Sequence, residues 1–194
     1  TLRVEWHPPV WLLDRPELVA ETKAKLNQLN IKINDLHVDG FPGYPKDVQN
    51  AEKDYVRLER YAKMAKELGT DIVCVHAVGF DLDQPENIQR LNQISAEKKI
   101  TLALELIPPE VSPIPDQPGF GRFSPAYAYD PVELAKRIKG TNLKITLDTT
   151  HLAVAFLANP DRAKRVNQQS QISQKIVQTY QELNDQIALV HVSN

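Results

Sequence analysis

The sequence predicts an α/β fold: a parallel (β/α)8 TIM barrel, incomplete here, with about six of the eight strands present. Short apolar segments alternate with longer segments of helical periodicity along the whole chain. Five consecutive strand segments end near a histidine or a carboxylate. The carboxyl ends of parallel strands meet on one face of a barrel, and barrel enzymes carry their active sites there. We expect one domain, residues 1–194, truncated at both ends.

Six segments are predicted to be strands because they are short, apolar and rich in β-branched residues. Several, such as DIVCV and TLALEL, are apolar almost throughout, which is typical of parallel strands covered on both faces. The segments are Leu2–Trp6, Ile31–His37, Asp71–His76, Ile100–Ile107, Leu143–Asp148 and Ile187–Val192.

Five segments between these strands carry apolar residues at steps of three and four, which predicts helices with one buried face. Pro16, Pro85 and Pro131 predict helix starts, since proline fits the first turn of a helix. Gly69 and Gly140 predict helix ends. The apolar stripes run over residues 18–29, 51–68, 88–94, 132–138 and 172–183.

Strand–helix alternation is compatible with an open doubly wound sheet or with a closed barrel. An open dinucleotide-binding sheet needs a glycine-rich turn directly after a strand, and Gly119-Phe-Gly121 lies in a proline-rich segment instead. The barrel is therefore favoured. Six strands leave two open edges, so we expect either further strands of a longer chain or a second copy in a homo-oligomer. The proline-rich segment, residues 108–125, is a candidate lid or substrate wall.

Composition is that of an ordinary globular protein, with a formal net charge of -2 and a pI of about 6.2. A net negative charge does not indicate a basic surface for binding nucleic acid, so a small-molecule partner is favoured over nucleic acid. The apolar runs are too short to span a bilayer, so no membrane association is predicted. The single cysteine, Cys74, lies in an apolar strand and is predicted to be a buried, small apolar side chain. A single cysteine is also compatible with a reducing, cytoplasmic setting.

The residues at the strand ends are typical ligands of a divalent metal such as Zn, Mn or Mg. A carboxylate in an apolar strand, such as Glu105, is costly to bury without a cation or hydrogen-bonding partner. Carboxylate oxygens and imidazoles at one level form a set that a divalent ion prefers. His7, Glu5 and Asp39 are weaker candidates. The main candidates are His37, His76, Glu105, Asp148, His151 and His191.

These segments resemble the xylose isomerase-like barrel superfamily, which contains sugar isomerases and epimerases as well as abasic-site nucleases of the endonuclease IV type. The most specific piece is LDTTHLA, which is similar to the D-x-x-H strand end of both branches. LALELIP and VHVSN agree with the glutamate and histidine strands on either side of it. The resemblance covers the chain from Val4 to Ser193.

In the isomerase and epimerase branch, the resemblance implies that Glu105, Asp148 and His191 are metal ligands. A fourth ligand, a glutamate on the last strand, is not present in this sequence. The implied reaction is proton transfer next to the carbonyl of a sugar or sugar phosphate through an enediolate. Glu105 and the missing glutamate would exchange the proton, and His151 would contact the substrate or the surroundings of the metal.

In the nuclease branch, the resemblance implies a cluster of several metal ions, to which His37 and His76 would add ligands. The slightly negative charge and the lack of aromatic–basic interleaving favour a sugar over DNA. His37 and His76 argue for the nuclease. A third hypothesis is a degenerate barrel that binds a ligand without catalysis.

Overall fold

Six parallel strands form one sheet in the order of the chain, β1-β2-β3-β4-β5-β6. The structure, a computed structural model, describes residues 2–38, 48–77, 80–106, 130–158 and 169–192. The strands are β1 Leu2–Trp6, β2 Ile31–Val38, β3 Ile72–His76, β4 Thr101–Glu105, β5 Lys144–Asp148 and β6 Ile187–His191. The helices are α1 Pro16–Gln28, α2 Val48–Leu68, α3 Pro85–Lys98, α4 Pro131–Arg137, α5 Thr149–Ala158 and α6 Gln169–Leu183.

The six predicted strands are confirmed with shifts of one or two residues at their ends. Helices α1, α3 and α4 begin at their predicted prolines. Gly69 and Gly140 follow α2 and α4 with positive φ values of 90° and 83°, a conformation that glycine adopts at little cost. The proline-rich residues 108–125 and Asp39 lie outside the described residues.

Helix α5 was not predicted. It begins at Thr149, directly after β5, so Asp148 and His151 lie where a strand passes into a helix. Its sequence, TTHLAVAFLA, is apolar nearly all round and has no amphipathic period. Among the described residues no helix is both long and apolar enough to cross a membrane.

The sheet is strongly curled, as an incomplete barrel requires. β1 and β6 are separated by four strands, which would put them about 24 Å apart in a flat sheet at roughly 4.8 Å per step. Glu5 Oε1 of β1 nevertheless lies 3.7 Å from His191 Nε2 of β6. Side chains from the two outer strands therefore meet across the concave face, and the predicted parallel barrel architecture is confirmed.

Alternation along the strands separates two apolar clusters. Val73, Leu102 and Ile145 point to the convex face, where they join the buried residues of the helices in the main core. Cys74, Ala103 and Leu189 form a smaller cluster on the concave face. The concave cluster forms the floor beneath the strand ends, so polar side chains one step further along the strands open into a cavity.

A β-bulge changes the phase of β2 close to this cavity. Val4 pairs with Ile33 and Glu5 pairs with Asp35, so Asn34 is the extra residue. As a result Ile33 belongs to the main core, whereas Asn34 and Asp35 both line the cavity. Bulges often re-aim side chains in this way beside functional sites.

The hydroxyl group of Thr70 holds the bulge. Its Oγ1 donates a hydrogen bond to the Asn34 carbonyl oxygen at 2.6 Å and accepts one from the Ile72 backbone N–H at 3.2 Å. Thr70 is buried, with 5% of its surface exposed, so water cannot readily replace these bonds.

We predict that Thr70→Val lowers the free energy of unfolding by about 1–3 kcal/mol, because the Asn34 carbonyl loses its donor in a part-buried contact. Thr70→Ser keeps the hydroxyl and serves as the control, with a smaller loss. Urea denaturation measures both. Equal stability of Thr70→Val and the wild type would contradict the role of this hydroxyl.

Candidate metal centre

Glu105, at the end of β4, lies at the centre of a cluster of four histidines. Its side chain is 1% exposed. Oε2 lies 2.9 Å from His37 Nε2 and 3.3 Å from His76 Nε2. Oε1 lies 3.1 Å from His191 Nδ1 and 3.7 Å from His151 Nδ1. One carboxylate thus faces imidazoles from β2, β3, β6 and the start of α5.

This environment keeps Glu105 ionised. Burial alone would raise the pKa of its carboxyl group, but hydrogen bonds from His191, His37 and His76 outweigh burial and hold the pKa well below its ordinary value. The charge that burial disfavours is therefore stabilised by the histidines around it.

Asp148 and His151 are fixed by the junction of β5 and α5. Asp148 Oδ1 accepts a hydrogen bond from the His151 backbone N–H at 2.7 Å, which is the contact of a helix N-cap with the third helical residue. The His151 ring donates from Nδ1 to the Leu106 carbonyl oxygen at 3.0 Å, since a carbonyl can only accept. Nε2 of His151 is therefore the ring nitrogen left with a lone pair.

His191, at the end of β6, bridges two groups of carboxylates. Burial lowers the pKa of its ring, but hydrogen-bonding and charge interactions with Asp35, Glu105 and Glu5 raise it to about 10. The His191 Nε2–Asp35 Oδ2 distance is 3.8 Å, longer than a hydrogen bond, so we assign this effect to charge attraction. Both of these atoms are buried without a hydrogen-bond partner among the described residues.

The concave face beneath these residues forms a cavity of about 690 Å³. Cys74 is buried in its floor, as predicted, and donates a hydrogen bond from Sγ to Thr146 Oγ1 at 3.2 Å. Burial and the charge of Glu105 raise the pKa of the Cys74 thiol well above its usual range. This cysteine is therefore a neutral part of the floor.

The residues present fit a divalent metal ion. Ligand atoms of Glu105, Asp148 and His151 lie within 4.8 Å of one another, and so do those of His37, Cys74, Glu105 and His191. The two carboxylates are buried, and within the described part of the chain a buried polar atom of His191 has no hydrogen-bond partner. Oxygen and imidazole donors that are buried, convergent and incompletely paired suit such an ion.

All six main candidates line this one cavity, as do the weaker candidates Glu5 and His7. His7 Nε2 lies 3.0 Å from Glu5 Oε1, and its ring stacks on that of His37 with centroids 4.4 Å apart. The sequence analysis did not identify Asp35. The available signal was its position in β2, two residues before His37 and therefore on the same face.

The carboxylates and imidazoles lie at the carboxyl ends of parallel strands. Barrel proteins place their reactive and metal-binding groups at these strand ends, and the fold and site described above are of that class. The chain belongs to the xylose isomerase-like TIM barrel family, whose model matches residues 4–194. The resemblance inferred from the strand-end motifs is confirmed. No curated protein matches the sequence.

Solved structures share this fold. A D-tagatose 3-epimerase-like protein has a TM-score of 0.66 at 18% identity, over 97% of this chain and 66% of its own. A xylose isomerase domain protein from Planctomyces limnophilus has a TM-score of 0.62 at 13% identity, over 97% and 62%. A D-allulose 3-epimerase from Methylomonas sp. in complex with D-allulose has a TM-score of 0.59 at 17% identity, over 91% and 57%. The chain thus spans less than two thirds of the length of these structures.

The Glu105–His191 pair predicts a pH-dependent stability of the metal-free protein. The lowered pKa of Glu105 contributes stability in full above its ordinary value of 4.5, and this is lost as pH falls further. The raised pKa of His191 contributes in full below 6.5, and this is lost as pH rises through about 10. Both contributions are complete only between pH 4.5 and 6.5.

Urea unfolding in EDTA measures this effect in the wild type and in the Glu105→Gln/His191→Gln double variant. The difference in unfolding free energy between the two is expected to be largest between pH 4.5 and 6.5 and to shrink towards pH 10. A difference that stays constant above pH 6.5 would show that the ion pair does not contribute in this way.

Proposed function

We propose that this chain is part of a divalent-metal-dependent isomerase or epimerase that acts on a sugar or sugar phosphate. The observation that supports it most is the buried carboxylate of Glu105, which faces His191 on one side and shares a group of ligand atoms with Asp148 and His151 on the other. This is one carboxylate–imidazole group at the mouth of a cavity large enough for a monosaccharide.

The structural neighbours support the substrate class. They include a D-tagatose 3-epimerase-like protein and a D-allulose 3-epimerase whose structure contains D-allulose. Their identity to this chain is 18% and 17%, so they support a fold suited to sugars and leave the particular sugar open. A cytoplasmic setting and a homo-oligomeric state are parts of the same proposal.

The proposed roles are those that the resemblance to the isomerase and epimerase branch implies. Glu105, Asp148 and His191 would hold the ion, and when bound it would polarise the carbonyl oxygen of the sugar. Glu105 is ionised, which a proton-accepting group next to the substrate carbon requires. His151 is held by the Leu106 carbonyl so that its Nε2 can accept a hydrogen bond from a substrate hydroxyl. The apolar floor around Cys74 excludes water below the site.

We predict that the full-length protein contains a divalent ion and that Glu105→Gln lowers its epimerisation or isomerisation rate by at least about 10²-fold. Asp148→Asn is expected to weaken metal retention because it removes a charged donor. Metal content is measured by plasma mass spectrometry, and activity by proton–deuterium exchange over a panel of ketoses and their phosphates.

Glu97→Gln, a change in an exposed contact on α3, is the matched control and should keep wild-type activity. A full-length protein that neither contains nor takes up a divalent ion would refute the proposal. An Asp148→Asn variant with unchanged activity would refute the assigned role of Asp148. A protein that binds ions and sugars without turnover would favour the degenerate barrel.

A second candidate is a metal-dependent phosphodiesterase of the abasic-site type. The observation in its favour is the position of His37 and His76, whose Nε2 atoms lie 3.3 Å apart and both within 3.3 Å of Glu105 Oε2. Imidazole nitrogens lie beside both carboxylate oxygens of Glu105, and such a group would suit a site for two ions.

A nicking assay on duplex DNA with a single abasic site distinguishes the two reactions. With Zn²⁺ or Mn²⁺ present, the nuclease hypothesis predicts that the wild type cleaves this DNA and that His76→Asn abolishes the cleavage. No cleavage with either ion excludes this candidate.

A further inference from the structure

His37 and His191 each lie between two carboxylates. His37 Nε2 is 2.9 Å from Glu105 Oε2, and its Nδ1 is 2.5 Å from Glu5 Oε1. His191 Nδ1 is 3.1 Å from Glu105 Oε1, and its Nε2 is 3.7 Å from Glu5 Oε1 and 3.8 Å from Asp35 Oδ2. Both rings thus turn one nitrogen to the centre and the other to carboxylates of β1 and β2.

This arrangement decides which ring nitrogen can bind an ion. A neutral imidazole carries one N–H. When Glu105 is engaged by an ion, the carboxylate on the side of β1 and β2 would keep that proton on the nitrogen beside it. The opposite nitrogen then has its lone pair directed away from that carboxylate. Metal-binding histidines commonly use such a partner to fix the tautomer and the ring orientation.

Asp35 lies where it can interact with the outer ring nitrogen of His191, Nε2. It is 2% exposed, its Oδ1 accepts from Asn34 Nδ2 at 3.2 Å, and its Oδ2 has no hydrogen-bond partner among the described residues. The unpartnered Nε2 of His191 faces that oxygen. The bulge at Asn34, held by Thr70, turns Asp35 into the cavity.

We propose that Glu5 and Asp35 are positioning residues for the metal centre. Glu5 keeps the His37 proton on Nδ1, so that the lone pair of Nε2, the nitrogen that faces Glu105 at 2.9 Å, would be directed to the ion. Asp35, with Glu5 beside it, keeps the His191 proton on Nε2, so that Nδ1 of His191 is free for the ion. This inference rests on the proposed metal-dependent function. It adds His37 to the ligands named there, together with two carboxylates that do not themselves bind the ion.

The test uses Glu5→Gln and Asp35→Asn in the full-length protein, with Glu17→Gln on α1 and Asp185→Asn near β6 as exposed, charge-matched controls. Affinity for Zn²⁺ is measured by competition with a fluorescent chelator. We expect the two site variants to bind about 10–100-fold more weakly, as the loss of such partners does elsewhere, and the controls to bind as the wild type does.

A spectroscopic readout separates positioning from general damage to the fold. In the ¹⁵N spectrum of the zinc-loaded wild type, we expect the proton on Nδ1 of His37 and on Nε2 of His191. In Glu5→Gln the His37 signals should show a mixture of states, and Glu5→Asp should restore the wild-type pattern in part. If Asp35→Asn fails to fold, Glu5→Gln still tests the proposal, because its side chain is 33% exposed and less costly to change.

Unchanged affinity and unchanged ring signals in both variants would overturn this inference and leave the proposed function intact. The loss of one bound ion, with full affinity at the remaining site, would overturn it as well, because Glu5 or Asp35 would then be a ligand. A wild-type protein that binds no Zn²⁺ would refute the proposed function and this inference together.

Discussion

The burial of one carboxylate, Glu105, is the constraint on which the site depends. An unpaired carboxylate in a protein interior costs several kcal/mol, and Glu105 is almost fully inaccessible. The fold meets this cost with imidazoles from three strands and one helix, two on each carboxylate oxygen. The strand ends cannot diverge without leaving this charge unpaired, so the electrostatics of the centre and the curvature of the sheet require one another.

Curvature in turn determines which residues can reach the centre. β1 and β6 are the two outer strands, yet Glu5 and His191 are near neighbours because the sheet curls. A bulge lies in each outer strand pair: Asn34 of β2 is the extra residue opposite the Val4–Glu5 step, and Ala188 of β6 is the extra residue opposite the Ile145–Thr146 step. Since a bulge increases local twist and turns two consecutive residues to one face, these irregularities help to direct polar groups into the cavity.

The sequence was sufficient for the strands, for most of the helices and for the candidate residues, because apolar runs, helix-starting prolines and strand-end histidines are local signals. It was not sufficient for α5, whose residues are apolar nearly all round and carry no period. The contact between Asp35 and His191 could not be predicted either. It joins β2 to β6, and it depends on how far the sheet closes, which no local pattern records.

The same atoms serve two states of the site. In the metal-free protein, hydrogen bonds from His191, His37 and His76 hold the pKa of Glu105 low, and Asp35, Glu105 and Glu5 raise that of His191 to about 10. A divalent ion bound at Nδ1 of His191 would displace the proton that this nitrogen shares with Glu105, so binding would release a proton. The ion and the protons therefore compete for one set of donors. Groups that hold the remaining ring proton on the far side, Glu5 and Asp35, favour the ion in this competition without touching it.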